Sequence, residues 1–104
     1  YISRNGFEPF LKWLKKLDKS LGIKVQSKTM KIAQGNISDC SILKDGDGVK
    51  EARIRTSSGI RLYYAEDGQN IILLLIGGDK SSQKKDISLA KEYWKDYLKR
   101  KQEQ

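Results

Sequence analysis

Residues 48–80 read GVKEARIRTSSGIRLYYAEDGQNIILLLIGGDK, and this stretch decides the fold. Its side chains alternate with a period of two, the spacing of a β-strand, and two turn signals cut it into three pieces. Residues 49–56 place Val49, Glu51, Arg53 and Arg55 on one side and Lys50, Ala52, Ile54 and Thr56 on the other. Ser57-Ser58-Gly59 turns the chain. Residues 60–66 set Arg61, Tyr63 and Ala65 opposite Ile60, Leu62 and Tyr64. Asp67-Gly68 is a hairpin signal. Residues 70–76 are apolar on both sides from Ile71 onward, which predicts a central strand covered on both faces or lining a cleft. The three pieces make an antiparallel meander.

The period changes on either side of this meander. Upstream, Phe10, Trp13, Leu14 and Leu17 recur at steps of three and four, predicting a helix from Pro9 to about residue 20. Pro9 suits its first turn, where the missing N–H costs little. Gly22 interrupts, and a second helix is expected over residues 23–34 with Val25, Thr29 and Ile32 along one stripe. Gly35-Asn36 stops it. Residues 1–4 suggest a short extra strand, and residues 36–48 read as a polar loop. Downstream, Ile87, Ala90, Trp94, Tyr97 and Leu98 predict a last helix over residues 83–101, capped by Ser81 or Ser82. The expected order is βααβββα, or ααβββα without the first strand, within a single domain over residues 1–104.

Composition narrows the function. Lys and Arg number 21 against 13 Asp and Glu, a net charge of +8 over 104 residues. Such a surplus fits a polyanionic partner. There is no histidine and one cysteine, Cys40. Imidazole acid–base chemistry, an internal disulfide and a multi-cysteine zinc site are therefore excluded. Asp39, Asp45 and Asp47 lack the glycine and glutamate spacing of a calcium loop. No cofactor and no metal are expected. The longest apolar run, residues 71–76, falls far short of the roughly 20 residues a membrane span requires, and neither a membrane association nor a secretory leader is expected.

The informative constellation is Arg53, Arg55, Arg61 and Tyr63. If the two strands pair with these residues facing the same way, three guanidiniums and a phenol converge. Such a patch binds phosphate and can offset charge on a scissile phosphate. A one-residue slip in either strand would separate them, leaving a solvated face with Glu51 and Glu66 neutralising arginines. Gly77-Gly78-Asp79-Lys80 leaves the last strand and could bring Lys80 to a phosphate, although it lacks the spacing of a nucleotide-binding loop. Lys12, Lys16 and Lys28 on the first helices, with Lys84 and Lys85 at the start of the last, are either further nucleic-acid contacts or solvated helix faces. An enzyme with this residue set must use Lys, Arg, Tyr or an acid. RNA cleavage suits it, because RNA supplies its own nucleophile, the 2′-hydroxyl. A lysine of lowered pKa or Glu51 are the candidate bases.

The chain resembles the RelE/ParE/HigB superfamily of toxins from type II toxin–antitoxin modules, and within it the addiction module killer protein branch. The resemblance is carried by Phe10-Leu11-Lys12-Trp13-Leu14, Ala33-Gln34-Gly35-Asn36, the residues 48–54 and Gly59-Ile60-Arg61-Leu62-Tyr63-Tyr64. Its strongest segment is Leu73-Leu74-Leu75-Ile76-Gly77-Gly78-Asp79-Lys80-Ser81-Ser82-Gln83, followed by Asp86-Ile87 and Ala90.

The resemblance implies an α+β toxin fold, with two N-terminal helices and one C-terminal helix on one face of a curved antiparallel sheet. It implies a ribosome-dependent mRNA endonuclease that leaves a 2′,3′-cyclic phosphate. Arg53, Arg61, Lys80 and Tyr63 would be catalytic, and Arg55, Lys84, Lys85, Lys12, Lys16 and Lys28 would bind RNA. The implied partners are the ribosome, mRNA and a cognate antitoxin encoded by an adjacent gene, and the implied site of action is the cytoplasm. Some relatives use a late histidine or a C-terminal tyrosine. Histidine is absent here, and Tyr63 points in a better direction than Tyr93 or Tyr97. A ParE-like branch poisons DNA gyrase without cutting RNA, and the fold alone does not separate the two activities. A catalytically inactive antitoxin- or nucleic-acid-binding protein is the third reading.

Overall fold

Within the meander, the strands of the computed structural model run where the alternation places them. The model describes residues 1–69 and 71–104. In chain order the elements are α1 (Pro9–Lys16), α2 (Lys19–Ala33), β1 (Cys40–Ile42), β2 (Lys50–Ile54), β3 (Ile60–Glu66), β4 (Ile72–Gly78), a 3-10 turn (Lys80–Ser82) and α3 (Gln83–Gln102). The sheet is antiparallel throughout, in the order β1-β2-β3-β4. The expectation for residue 70, placed at the start of a strand, lies outside the described residues.

Several boundaries differ from the sequence reading. Residues 1–4 form no strand. The first helix stops at Lys16 because Asp18 starts the next one, its Oδ1 accepting from the Leu21 N–H at 2.8 Å. Gly22 therefore lies inside α2 rather than before it. The polar loop contains a fourth strand, β1, which pairs with β2 through Cys40–Ala52, Ser41–Glu51 and Ile42–Lys50. At the head of α3, Ser82 makes no capping bond from its side chain, and Asp79 caps the preceding turn instead.

The helices cover both faces of the sheet, not one. Leu62 and Tyr64 of β3 join Ala52 and Ile60 against Phe10 of α1 and Val25 and Ile32 of α2. The alternate residues Tyr63 and Ala65 join Val49 and Leu75 against Ala90 and Trp94 of α3. Successive strand side chains point to opposite faces, so these two clusters are the two sides of one sheet. β4 is an edge strand rather than a central one, yet α1 and α3 cover both its faces. A bulge opposite Tyr63 and Tyr64 turns both Leu75 and Ile76 toward the α3 side.

The two glycines that end β4 explain how the layers approach so closely. A Cβ on Gly77 would stand inside the Trp13 indole of α1, and one on Gly78 would collide with the Asp86 carboxylate of α3. The pair is thus a packing joint between the two helical layers. No described helix is long and apolar enough to cross a membrane.

Candidate functional site

The β2–β3 register puts Arg53 directly opposite Arg61, and Glu51 opposite Tyr63. All four side chains therefore share the sheet face on which α3 lies. Burial then separates them. Glu51 is 2% exposed and Tyr63 0%, and the Arg61 side chain is 10% exposed against 60% for Arg53. Only Arg53 among them presents its charge to solvent.

Glu51 is the centre of the group. Its Oε2 accepts from the Tyr63 hydroxyl at 3.0 Å and from the Gln83 amide of α3 at 2.9 Å. Its Oε1 accepts from Arg53 Nε at 3.2 Å. Arg61 Nε lies 3.8 Å from Oε2, an ion pair but not a hydrogen bond, and has no hydrogen-bond partner among the described residues. Burial pushes the Glu51 carboxyl up, but the bonds from Gln83, Tyr63 and Arg53 outweigh it and hold the group below the ordinary glutamate range. Burial, then the Glu51 charge, push the Tyr63 phenol well up. A buried carboxylate saturated with donors makes a poor general base, and Glu51 is better suited to holding arginines. Tyr63, expected among the catalytic groups, does not reach the surface and supports Glu51.

The loop after β4 meets this corner at Gly59. That residue has φ +68°, and a Cβ there would lie 3.1 Å from Lys80 Cβ and 3.2 Å from Arg61 Nη1. Arg61 Nη1 donates to the Gly59 carbonyl at 2.9 Å, and the Lys80 N–H donates to the Ser58 carbonyl at 3.1 Å. The β2–β3 turn thus ties the Lys80 backbone beside Arg61. Lys80 is exposed, and among the described residues its ammonium makes no ion pair. Asp79 fixes the turn by accepting from the N–H groups of Ser81 and Ser82. Its carboxyl sits below the usual aspartate range, chiefly through the Ser81 hydroxyl.

Five of the other predicted cations divide between two grooves. Lys12, Lys16 and Lys85 line a groove of about 540 Å³ between α1 and the head of α3, beside Trp13, Gly77 and Asp86. Asp86 is buried, its carboxyl is pushed up by that burial, and it accepts from the Ser82 hydroxyl at 2.5 Å. Lys28 and Arg55 line a different groove of about 430 Å³ between α2 and the β1–β2 edge, with Lys24, Lys31 and Asp39. Arg55 does not join Arg61. It lies beyond the end of β2 and pairs with Asp39 at 3.6 Å. Arg53 borders this second groove as well as the Glu51 corner. Lys84 is exposed beside Gln83, and Glu66 pairs with Lys50 rather than with an arginine. Among the described residues no three His, Cys, Asp or Glu side chains gather as a metal site would require.

Gln83 is the member of the corner that sequence reasoning passed over. It stands at the end of the Gly77–Gln83 run, and no local pattern shows that its amide crosses to β2. Tyr93 and Tyr97 lie elsewhere, Tyr93 stacked on Tyr1 at 4.9 Å and Tyr97 on Trp94 at 5.6 Å. The Tyr97 hydroxyl donates to Asp67.

Comparison with known proteins fits the extent of this arrangement. The chain is similar to an uncharacterized protein of Haemophilus influenzae, 39% identical over 84 residues, which is 79% of this chain and 82% of that relative. No solved structure matches it. The family model of phage-derived Gp49-like proteins (DUF891) matches residues 12–95, which take in Glu51, Arg53, Arg61, Tyr63, Lys80 and Gln83. On that match, the chain belongs to the phage-derived Gp49-like family.

Proposed function

We propose that this protein is the toxin of a type II toxin–antitoxin pair, of RelE/ParE type, and that it cuts mRNA on the translating ribosome in the cytoplasm. Membership of the Gp49-like family, whose general character is that of toxin-like addiction modules, supports the toxin role. The observation that carries the nuclease reading is the cationic corner. The strand register sets Arg53 against Arg61, and Gly59 draws in the loop that carries Lys80.

The chemistry follows from which of these groups are accessible. A phosphate at the corner meets the exposed Arg53 guanidinium and the Lys80 ammonium, with Arg61 behind them. These charges offset the extra negative charge of the transition state. The RNA 2′-hydroxyl gives up its proton to solvent water as its oxygen bonds to phosphorus, while the bond to the 5′-oxygen breaks. The products are a 2′,3′-cyclic phosphate and a 5′-hydroxyl. Lys80, as an ammonium, is placed to give the leaving oxygen its proton. Lys12, Lys16 and Lys85 in one groove, and Lys28 and Arg55 in the other, then serve as phosphate contacts to ribosomal RNA. The antitoxin would act by covering the corner.

The test is mRNA integrity in a purified translation reaction, with 5′ ends mapped and a ribosome-free reaction alongside. Cuts within the reading frame that need translating ribosomes are expected. Arg53→Ala and Lys80→Ala should each lower cleavage by at least about tenfold with the fold intact. Arg61→Ala is a poor probe, because it also removes a buried ion pair to Glu51 and so mixes stability with catalysis. Intact mRNA from a preparation that binds its antitoxin would overturn the nuclease reading. Loss of supercoiling by gyrase in the same preparation would move the assignment to the ParE-like activity.

A further inference from the structure

The Glu51 carboxylate is held from three directions, and one of them is unexpected. Tyr63 reaches it from β3 and Arg53 from its own strand. Gln83 reaches it from the first turn of α3, a different layer of the molecule, across 32 residues of sequence. The turn before Gln83 is fixed at each step. Gly77 and Gly78 let β4 pass under Trp13 and Asp86, Asp79 caps the 3-10 turn, and Ser82 donates to Asp86. This construction delivers two side chains to one corner. Lys80 goes to the outside beside Arg61, and Gln83 goes to the inside against Glu51.

We propose that Gln83 is a positioning residue: by donating to Glu51 Oε2 it fixes the carboxylate on which Arg53 and Arg61 are set, and so couples the seating of α3 to the geometry of the phosphate site. This rests on the nuclease reading above. The two oxygens of Glu51 have separate duties. Oε2 is pinned between Tyr63 and Gln83, which leaves Oε1 directed at Arg53 Nε. Without the Gln83 donor, Oε2 keeps one neutral partner and is free to turn toward Arg61 Nε, which has no other hydrogen-bond partner among the described residues. Arg53 then loses its anchor. A small displacement of a charge that stabilises a transition state lowers the rate far more than it lowers binding.

The charged and titratable groups facing Glu51 are Arg53 on its own strand, Arg61 and Tyr63 on β3, and, through Tyr63, Asp86 on α3. Ser41 stands opposite on β1 and does not titrate. Gln83 is the neutral donor in this set, so its replacements carry distinct pH signatures. Gln83→Leu removes the donor and moves the Glu51 titration upward. Gln83→Glu keeps the shape but donates only while protonated, so two carboxyls then share one proton.

The experiment measures single-turnover cleavage on preassembled, programmed ribosomes between pH 5.5 and 8.5. It also follows the Glu51 carboxyl carbon and the Arg53 Nε–H by NMR in the free protein. For Gln83→Leu, the expected result is a cleavage rate lower by about tenfold, with apparent ribosome affinity within about threefold. The Glu51 signal should titrate at higher pH and the Arg53 signal should shift. Gln83→Glu should recover cleavage at the acid end and lose it as pH rises, a trend a merely structural role would not produce. Parental rates and pH profiles in both folded variants would overturn the proposal. If the parental protein cuts nothing, the nuclease reading falls by itself. The coupling is then judged by NMR, and unchanged Glu51 and Arg53 signals in Gln83→Leu overturn it.

Discussion

The two faces of β3 are built on opposite principles. Ile60, Leu62 and Tyr64 meet α1 and α2 through an apolar cluster. On the other face, Arg61 and the Tyr63 hydroxyl meet Glu51 and the head of α3 through a buried charged network, set beside an apolar cluster of Val49, Ala65, Leu75, Ala90 and Trp94. Apolar burial tolerates loose geometry and contributes stability in proportion to area. A buried ion pair contributes little net stability but demands that every partner be present. The α1–α2 face is therefore suited to holding the fold, and the α3 face to holding positions.

The largest effect should come from breaking the charged face. Glu51→Leu leaves Arg61 buried without its counter-charge, a loss of about 3–5 kcal/mol in folding free energy. Pairing it with Arg61→Met removes both charges, and the double variant should regain most of that loss while cleaving nothing. Urea unfolding of the two single variants and the double variant closes the cycle. If the losses simply add, the two residues are not partners and the contrast between the faces collapses.

The apolar face should respond differently. Leu62 is fully buried, and Leu62→Ala should cost about 3 kcal/mol by leaving a cavity. Cleavage per folded molecule should stay at the parental level, because Leu62 packs on the sheet face opposite the corner. A drop in specific cleavage as large as that of Lys80→Ala would show that the two faces are not independent.

How much of this could be read from sequence also divides by face. The period-two alternation placed β2 and β3 correctly, but it left their register open, and the pairing of Arg53 with Arg61 is visible only in the structure. Alternation says which residues share a face, but not whether that face is wet. Arg61, Glu51 and Tyr63 look like a polar surface until α3 docks on them, and docking is a long-range event with no local pattern. β1 was hidden for a related reason. Cys40–Ile42 is three residues long and takes its strand conformation from pairing with β2, not from its own composition. The apolar run in β4 suggested a central strand. It is apolar on both sides because helices cover both faces, and an edge strand so covered has the same signature. Arg55 shows the limit of extrapolation, since it lies past the last paired residue and turns to Asp39.

The smallest effect concerns two acids on the α3 face whose titrations have opposite signs. Glu51 is held below its ordinary value of 4.5, so its contribution is present above that value and is lost as pH falls through its lowered folded value. Asp86 is raised above its ordinary value of 3.8 by burial, so it opposes folding as pH rises through its folded value, and acidification relieves that cost. The two partly cancel in the parental protein on the acid side. Asp86→Asn keeps an acceptor for Ser82 and removes only the second contribution. It should raise stability at neutral pH by less than about 1 kcal/mol and make the fall toward pH 3 steeper than in the parent. Asp67, Asp79 and Asp96 also titrate low but are common to both proteins, so the comparison isolates Asp86. Parallel stability curves from pH 7 to 3 would mean that Asp86 is as well solvated as a surface acid, and that the charge on the α3 face is confined to Glu51 and its arginines.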